Sequence, residues 1–153
     1  MPNITYIKGG KELIADIKPL WEALNVHHQS NAIHFLDSIQ SNTFEKRHEK
    51  FDDETFEVFV ELVKVDERPV GYSISTINSE KMGEIDSLYV EKEYRKLAIG
   101  EELMSNAMKW FKENHTKVNR LKVAEGNEHV LKFYKKFGFE TRFYVLEDVN
   151  RFD

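Results

Sequence analysis

The chain has 153 residues, of which 41% are hydrophobic, and this fits one globular domain with its own core, spanning residues 1–153. Its formal net charge of −5 argues against a nucleic-acid binder, whose affinity comes largely from clustered lysines and arginines. The chain has no cysteine, which excludes disulfides, cysteine-ligated zinc and a cysteine nucleophile.

The N-terminal half begins with a short strand, ITYIKGG, closed by a Gly-Gly turn. A helix with an apolar face follows, in which Pro19 is an expected kink. The apolar face consists of Leu13, Ile14, Ile17, Leu20, Trp21 and Leu24. A second, more polar helix is expected through NAIHFLDSIQSNTFEKRHEKF. The alternation in TFEVFVELVKV then predicts a strand, and ERPVGYSISTIN predicts its hairpin partner.

In the C-terminal half, GEIDSLYV predicts another strand, which carries two carboxylates. EYRKLAIGEELM leads from it into an amphipathic helix. RLKVAEGN predicts a strand, EHVLKFYKKFG a helix that ends at Gly138, and FETRFYVLEDV a last strand. The predicted fold is a single α/β domain of order β-α-α-β-β-β-α-β-α-β, with a mixed sheet in which the strands at 84 to 90 and 120 to 126 run parallel.

Neither a membrane span nor a metal site is predicted. No apolar run approaches the ~20 residues needed to cross a bilayer, and the N-terminus lacks the regions of a signal peptide, so we expect a cytoplasmic protein without a membrane partner. No two histidines form a helical i, i+4 pair around a glutamate, as a zinc hydrolase would need. The neighbours His27 and His28 fit either an exposed or capping pair or side chains near a substrate.

The stretch EYRKLAIGEELM has the order of an anion site, in which a strand and a short basic turn precede a helix N-terminus. Unpaired N–H groups of a first helical turn bind phosphate, and the small residues Ala98 and Gly100 would let an oxygen approach. Arg95 and Lys96 add positive charge at the mouth. An ordinary helix start with solvated basic side chains has the same pattern.

Two motifs together resemble those of the GCN5-related N-acetyltransferase (GNAT) family, over roughly residues 55 to 145. The family's pyrophosphate loop, Arg/Gln-x-x-Gly-x-Gly/Ala, corresponds here to Arg95, Lys96, Leu97, Ala98, Ile99 and Gly100. Its later motif is matched by Asn127, Val130, Phe133, Tyr134, Gly138 and Phe139. Ala98 stands where the family has its first glycine. Because alanine permits close backbone approach when φ is negative, we expect weakened rather than abolished binding of acetyl-CoA.

The resemblance implies acetyl-CoA as co-substrate, in the GNAT fold and without a metal. In the family the pantetheine arm lies between two splayed parallel strands, hydrogen-bonded to main chain, which here would be that of Leu88, Tyr89 and Val90. The pyrophosphate would contact the amides from Arg95 to Gly100. Asn127 would contact the pantetheine from the other strand, and it could also cap the helix that follows.

The chemistry that the resemblance implies is direct attack of a neutral amine on a thioester, yet an alkylamine with a pKa near ~10.4 is protonated at neutral pH. Asp86 and Glu84 lie on the strand beside the expected thioester, on one face if the strand is regular. They are candidates to hold an ammonium substrate and relay its proton through water. Asp86 is preferred because some polyamine acetyltransferases of the family have an acidic residue at this spacing. The alternative for it is an ion pair with a neighbouring lysine or arginine, or a solvated strand end.

Two further groups complete the expected site. The backbone N–H of Tyr89 or Val90 could stabilise the developing oxyanion. Tyr134 corresponds to the family's usual general acid, which protonates the leaving thiolate. The alternative for Tyr134 is a core aromatic with a wet hydroxyl.

The net acidity favours a small cationic acceptor: a polyamine, a diamine or an aminoglycoside. A protein N-terminus or lysine is the next acceptor to consider. Possible anionic wall residues, each more ordinary as a surface charge, are Glu22, Asp37, Glu54 and Glu61. A non-catalytic acyl-CoA-binding module and a structural α/β adaptor are the competing classes. The aromatic-rich last strand could also pair across a homodimer interface.

Overall fold

The computed structural model describes residues 2–150, which contain one five-stranded mixed sheet with helices on both faces. In both chain and spatial order the strands are β1 (Ile4–Gly9), β2 (Glu57–Val65), β3 (Arg68–Ile77), β4 (Met82–Val90) and β5 (Val118–Leu121). The first four are antiparallel neighbours, and β5 is parallel to β4. The predicted mixed sheet and its parallel pair are therefore confirmed, although β5 begins two residues before the predicted strand and ends earlier.

The α-helices are α1 (Lys18–Asn31), α2 (Leu36–Gln40), α3 (Phe44–Arg47), α4 (Ile99–Glu113) and α5 (Leu131–Lys135). Four 3-10 helices complete the described elements: Lys11–Ile17, Glu49–Asp52, Lys92–Leu97 and Glu128–Val130. Within residues 2–150, none of these helices has both the length and the apolar character of a membrane span. The cytoplasmic location expected from the sequence stays a prediction.

The predicted hairpin between β2 and β3 is tight. Asp66 and Glu67 both have positive φ, 48° and 72°, as in the two-residue turns whose twist matches that of the flanking strands. The side chain of Asp66 accepts a hydrogen bond from the backbone N–H of Asn3 at 3.0 Å, which fixes the start of β1 beside the turn.

The N-terminal helices differ from the prediction in two respects. Pro19 occupies the first turn of α1, where its missing N–H costs nothing, so it begins a helix rather than kinking one. The predicted second helix is divided into α2, α3 and a 3-10 turn. Thr43 interrupts it by capping α3, because its hydroxyl accepts the N–H of Lys46 at 3.1 Å.

Each face of the sheet has its own core. On the face that we call the α1 face, Tyr72 and Ile74 of β3 pack with Trp21 of α1. On the opposite α4 face, Ile85 of β4 packs with Phe111 of α4. Helices on both faces of a twisted sheet bury both sets of alternating side chains, which is why β3 is buried at every position from 70 to 77.

The predicted last strand does not form. Residues 140 to 150 lie outside any helix or strand, and Leu146 is 94% exposed. A run of apolar and aromatic residues makes a strand only when the edge of a sheet pairs with it, and no strand in residues 2–150 lies against this segment. The described order therefore ends at α5, after the β-α-α-β-β-β-α-β-α that the sequence predicted, with the second helix in pieces.

Candidate active site

A cleft of about 650 Å³ opens where β4 and β5 separate. Their parallel pairing runs from Met82 opposite Val118 to Ile85 opposite Leu121. Beyond this point β4 continues to Val90, whereas the chain after Leu121 is no longer a strand. One wall of the gap is therefore sheet and the other is irregular backbone, in residues 122 to 127.

A β-bulge lies at Asp86, at the mouth of this gap. Ile85 pairs with Ser75 and Ser87 pairs with Ile74, which leaves Asp86 without an opposite residue on β3. The extra residue places the side chains of Asp86 and Ser87 on the same α1 face of the sheet. There Asp86 accepts a hydrogen bond from Thr76 at 2.6 Å.

The bulge also decides which backbone groups face the gap. The N–H of Glu91 donates to the carbonyl of Val70 at 2.8 Å. Because bonding residues alternate along an antiparallel ladder, Tyr89, opposite Tyr72, bonds to β3. The polar groups of Leu88 and Val90 therefore point into the gap. The main chain of Leu88, Tyr89 and Val90 was predicted to line the gap, but the backbone groups of Tyr89 bond to β3 instead.

Arg95 lies beside this wall rather than standing free at the mouth of the turn before α4. Its Nε donates to the carbonyl of Val90 at 2.9 Å. The other nitrogens of the guanidinium keep their donors, since a guanidinium carries five N–H groups. Lys96, the next basic residue of the turn, is exposed.

The turn enters α4 through a left-handed residue. Ala98 has φ 58° and ψ 26°, so the expectation that it permits backbone approach through a negative φ is wrong. Its carbonyl accepts the N–H of Glu102 at 3.2 Å, which starts the helix at Ile99. A left-handed residue here turns the chain sharply enough to begin α4 directly after the 3-10 helix, which is the task that a glycine performs without strain.

The other residues of the turn divide between core and surface. Ile99 is fully buried in the core of the α4 face, and Leu97 packs against that core, so only their backbone groups could meet a ligand. A methyl group on Gly100 would lie 3.4 Å from the ring of Phe133, which packs α5 against the start of α4.

Asp86, the preferred proton acceptor, is already engaged. Its carboxylate lies 2.5 Å from Nζ of Lys50, and its side chain is only 1% exposed. Burial raises the pKa of Asp86, although the hydrogen bonds from Lys50 and Thr76 oppose that rise. The ion pair that the sequence offered as the alternative is therefore present. Lys50 itself is held over the ring of Phe56, 5.0 Å from its centre.

Glu84 lies on the same face as Asp86, as the sequence predicted, and is easier to reach. Its Oε1 is 3.8 Å from Nζ of Lys50 and 3.6 Å from Nε of Arg120. These separations are longer than hydrogen bonds, and the side chain is 17% exposed. Of the two predicted carboxylates, Glu84 is the one that a molecule in the cleft could contact.

Tyr134 and Asn127 line the cleft from the side opposite β4. Burial raises the pKa of the Tyr134 phenol, and its hydroxyl has no hydrogen-bond partner within residues 2–150. Asn127 precedes the 3-10 helix Glu128–Val130 but makes no capping bond with its side chain. Its buried Oδ1 has no partner in the described part of the chain. The capping alternative is therefore not supported, and the atom remains available to a ligand.

Several contacts at the cleft were not predicted from the sequence; Lys50 is the unnamed partner of the ion pair that was the alternative for Asp86. Arg47 and Lys50 come from α3 and the turn after it, far in sequence from either motif. Glu125 accepts the backbone N–H groups of His34 at 2.6 Å and Phe35 at 2.7 Å, which ties the loop after α1 to the loop after β5. Arg47 and Lys50 lie in the polar stretch before β2, and Glu125 lies in the loop after β5. Neither region has a motif that would predict these contacts.

His28 lines the cleft, whereas His27 contacts the ring of His129 instead. The pKa of His28 is lowered by burial and then by the neighbouring His27, and both effects favour the neutral ring. Its buried Nδ1 has no partner within residues 2–150. By contrast, none of the four proposed anionic wall residues lines the cleft, and Glu61 is buried on the α4 face beside Asn106.

A model of the acetyltransferase (GNAT) family matches residues 21–139. The chain is 29% identical to an uncharacterised N-acetyltransferase of Methanocaldococcus jannaschii over 87 residues, which are 53% of this chain and only 38% of that relative. A GCN5-related N-acetyltransferase from Ralstonia eutropha superposes with a TM-score of 0.72 at 15% identity, covering 95% of this chain and 98% of that one. An aminoglycoside N-acetyltransferase solved in complex with CoA gives a TM-score of 0.66 at 13% identity, covering 97% and 95%.

At these low identities the solved structures show only that the fold is shared. The acceptor substrates of those enzymes are not assigned to this chain. The family match extends from α1 to the end of the second motif, over well more than half of the chain. The resemblance that rests on residues 95–100 and 127–139 is thereby confirmed, and the chain belongs to the acetyltransferase (GNAT) family.

Proposed function

We propose that this chain is an acetyltransferase that moves the acetyl group of acetyl-CoA directly to a primary amine, without a covalent enzyme intermediate. The observation that carries the proposal is the gap between β4 and β5. There the backbone groups of Leu88 line the cleft together with the unpartnered Oδ1 of Asn127, and the N–H of Val90 points into the same gap while its carbonyl accepts Nε of Arg95. Buried polar groups in need of partners on two walls are what the amides of a pantetheine arm would satisfy.

The phosphates of acetyl-CoA would lie at the start of α4. The amides from Arg95 to Gly100 offer donors at the positive end of a 15-residue helix, and Lys96 adds charge. Arg95 would hold the wall of the gap through Val90 and keep its outer nitrogens for phosphate.

Acetyl-CoA supplies an activated acyl group, and the residues of the cleft would handle the protons. The acceptor must lose a proton before it can attack, and Glu84, being the more accessible carboxylate, would take it through water. Asp86 would act as a positioning group that holds Lys50. The N–H of Leu88 or Val90 would donate to the oxyanion, because these are the β4 amides that face the gap.

Tyr134 would protonate the departing thiolate. A phenol whose pKa is raised by burial keeps its proton at neutral and mildly alkaline pH, as an acid in this role must. The unpartnered hydroxyl on the cleft wall supports this assignment over that of a purely structural aromatic.

The size of the cleft indicates the size of the acceptor. A cleft of about 650 Å³ suits a small molecule. The cationic amines favoured by the net acidity, including the aminoglycosides named for a similar solved enzyme, stay a prediction. A protein N-terminus or lysine is the alternative.

The test is thiol release from acetyl-CoA, read with a thiol reagent against a panel of amines, since the chain has no cysteine of its own to react. Replacing Tyr134 by Phe should lower kcat by about 100-fold or more and leave the Kd for acetyl-CoA, measured by calorimetry, unchanged. Tyr144→Phe is the matched control, because Tyr144 is 86% exposed and outside the cleft. Unchanged kcat for Tyr134→Phe at every pH would refute the acid assignment. Binding of acetyl-CoA without turnover on any amine would favour a non-catalytic binding module.

A further inference from the structure

The charges of the cleft are opposite in sign to those of the chain. The charged residues that line it are Arg47, Lys50, Arg120, Lys122, Glu84 and Asp86, a surplus of two positive charges. The whole chain carries a formal charge of −5, so this surplus is local. A concave surface of one sign attracts ligands of the other sign.

Both carboxylates of the cleft already have cationic neighbours. Asp86 is bonded to Lys50, and Glu84 lies between Lys50 and Arg120. A diamine or polyamine would bring two or more ammonium groups to a surface whose carboxylates are shared, and it would meet the surplus cations as well. Repulsion between like charges would then oppose binding.

Two cations of the cleft, Arg47 and Lys122, have no ion pair within residues 2–150, and of these Lys122 is exposed whereas Arg47 is not. The guanidinium of Arg47 donates from Nη2 to the backbone carbonyl of Asp86 at 3.2 Å. The residue is half-buried on the cleft wall. A guanidinium that has lost part of its water and has only one acceptor is poised to bind an anion through its planar fork.

This surplus is not accounted for by the phosphates of acetyl-CoA. The turn that would hold them, at residues 95 to 100, contributes no residue to the lining of the cleft. Arg47 comes instead from α3, on the α1 face, and is bonded at the bulge where β4 and β5 part.

We propose that the acceptor is a small amine that also carries an anionic group, a carboxylate or a phosphate, and that Arg47 binds this group. The proposal rests on the proposed function, because it assumes that the cleft receives the amine. Arg47 is then a residue that determines specificity. Its bond to the carbonyl of Asp86 holds the guanidinium two residues along β4 from Glu84, the proposed proton acceptor, and this favours a compact amino acid or amino phosphate over a long polyamine.

The experiment compares amines of similar size that differ in the charge of the second group: 4-aminobutyrate, O-phosphoethanolamine, 1,4-diaminobutane and n-butylamine. Their binding is measured by calorimetry in the presence of CoA, and their turnover by thiol release. We expect the wild-type protein to bind at least one of the two anionic amines about ten-fold or more tightly than the diamine and n-butylamine. The stronger of the two anionic amines identifies the group as carboxylate or phosphate.

Arg47→Gln should abolish that preference, raising the Kd and KM for the anionic amine about ten-fold or more while the Kd for acetyl-CoA stays unchanged. Arg47→Lys, which keeps the charge without the fork, should recover part of it. Arg142→Gln, at an exposed arginine outside the cleft, is the matched control and should bind as the wild type does.

The outcomes separate the two proposals. Tight binding of an anionic amine without thiol release supports the anion site and refutes the acetyl transfer. Equal or tighter binding of the diamine, absence of binding by both anionic amines, or a preference that survives Arg47→Gln overturns the anion site, whatever the turnover.

Discussion

At the scale of single residues, the site depends on backbone conformations as much as on side chains. Ala98 begins α4 from the left-handed region, at a φ of 58°. An alanine in this region is strained by about 1–2 kcal/mol, because its Cβ approaches the following carbonyl. The motif places a glycine here in the family, and the structure gives the physical reason, which is the sign of φ.

We therefore expect Ala98→Gly to raise the free energy of unfolding by about 0.5–1 kcal/mol, since the relief of strain exceeds the entropic cost of glycine. Urea unfolding measures it. Ala107→Gly is the control in the same helix. Ala107 is fully buried in the interior of α4, where glycine should lower stability by about 1 kcal/mol or more. A lower free energy of unfolding in both variants would show that the left-handed conformation of Ala98 does not destabilise the folded chain.

The predicted side chains differ in how much of their role could be seen in the sequence. Tyr134 and Asn127 belong to a spaced motif, and the structure brings both to the cleft. Arg47 and Lys50 carry no motif, and they reach the cleft only because α3 and the turn after it pack beside β4. Such long-range placement follows from tertiary packing, which a pattern of spacings does not encode.

At the scale of elements, the loops on either side of the cleft are tied together by Glu125. Its carboxylate accepts the N–H groups of Ile33, His34 and Phe35 from the loop after α1. Desolvation raises the pKa of Glu125, but the hydrogen bonds from His34 and Phe35 outweigh it and hold the pKa below its ordinary value. The ionised form therefore stabilises the folded loop.

Because the folded pKa is lowered, this stabilisation is present above the ordinary pKa of 4.5 and is lost as the pH falls through the folded value. We expect Glu125→Gln to speed amide hydrogen exchange at His34 and Phe35 near pH 7, measured by NMR. The gap between variant and wild type should narrow in acid. Glu140→Gln, at an exposed glutamate, should leave both amides unchanged. Equal exchange in wild type and Glu125→Gln would count against the tie.

Elements with strong local patterns were predictable, and those that depend on a partner were not. The hairpin of β2 and β3 and the amphipathic α4 follow from alternation and from helical spacing. The stretch from Phe143 to Leu146 is a run of aromatic and β-branched or aliphatic residues typical of a strand, yet it forms no strand within residues 2–150. Periodicity describes which side chains could be buried together, while the existence of a strand also requires a free edge within reach.

At the scale of the whole molecule, that segment presents a continuous run of exposed apolar side chains. Phe143, Tyr144, Val145 and Leu146 are 69% to 94% exposed. A contiguous apolar surface of this kind marks an interaction site on a soluble protein. It supports the prediction, made from the sequence, that the C-terminal segment contributes to a homodimer.

We expect the chain to elute from gel filtration at twice the monomer mass. The double variant Tyr144→Ser, Leu146→Ser should elute as a monomer, because it removes exposed apolar area and leaves the core intact. Val26→Ser is a suitable control, since Val26 is an exposed apolar residue of α1, 63% exposed and away from the segment. A wild-type chain that elutes as a monomer at high concentration contradicts the prediction.

The bulge at Asp86 changes which residues of β4 turn their backbone N–H and C=O groups away from β3. Before it, the N–H of Asn78 bonds to the carbonyl of Met82, so the odd-numbered Gly83 and Ile85 face β5; after it, the even-numbered Leu88 and Val90 face the gap. Because β5 ends at Leu121, the first half of β4 bonds to strands on both sides, and the half after the bulge is open on one side to a ligand. Substitutions along β4 can therefore retune the chemistry of the site. Deleting Asp86 would instead restore a regular ladder in which Leu88 and Val90 still face the gap, so the extra residue serves to place the Asp86 carboxylate beside the opening rather than to open it.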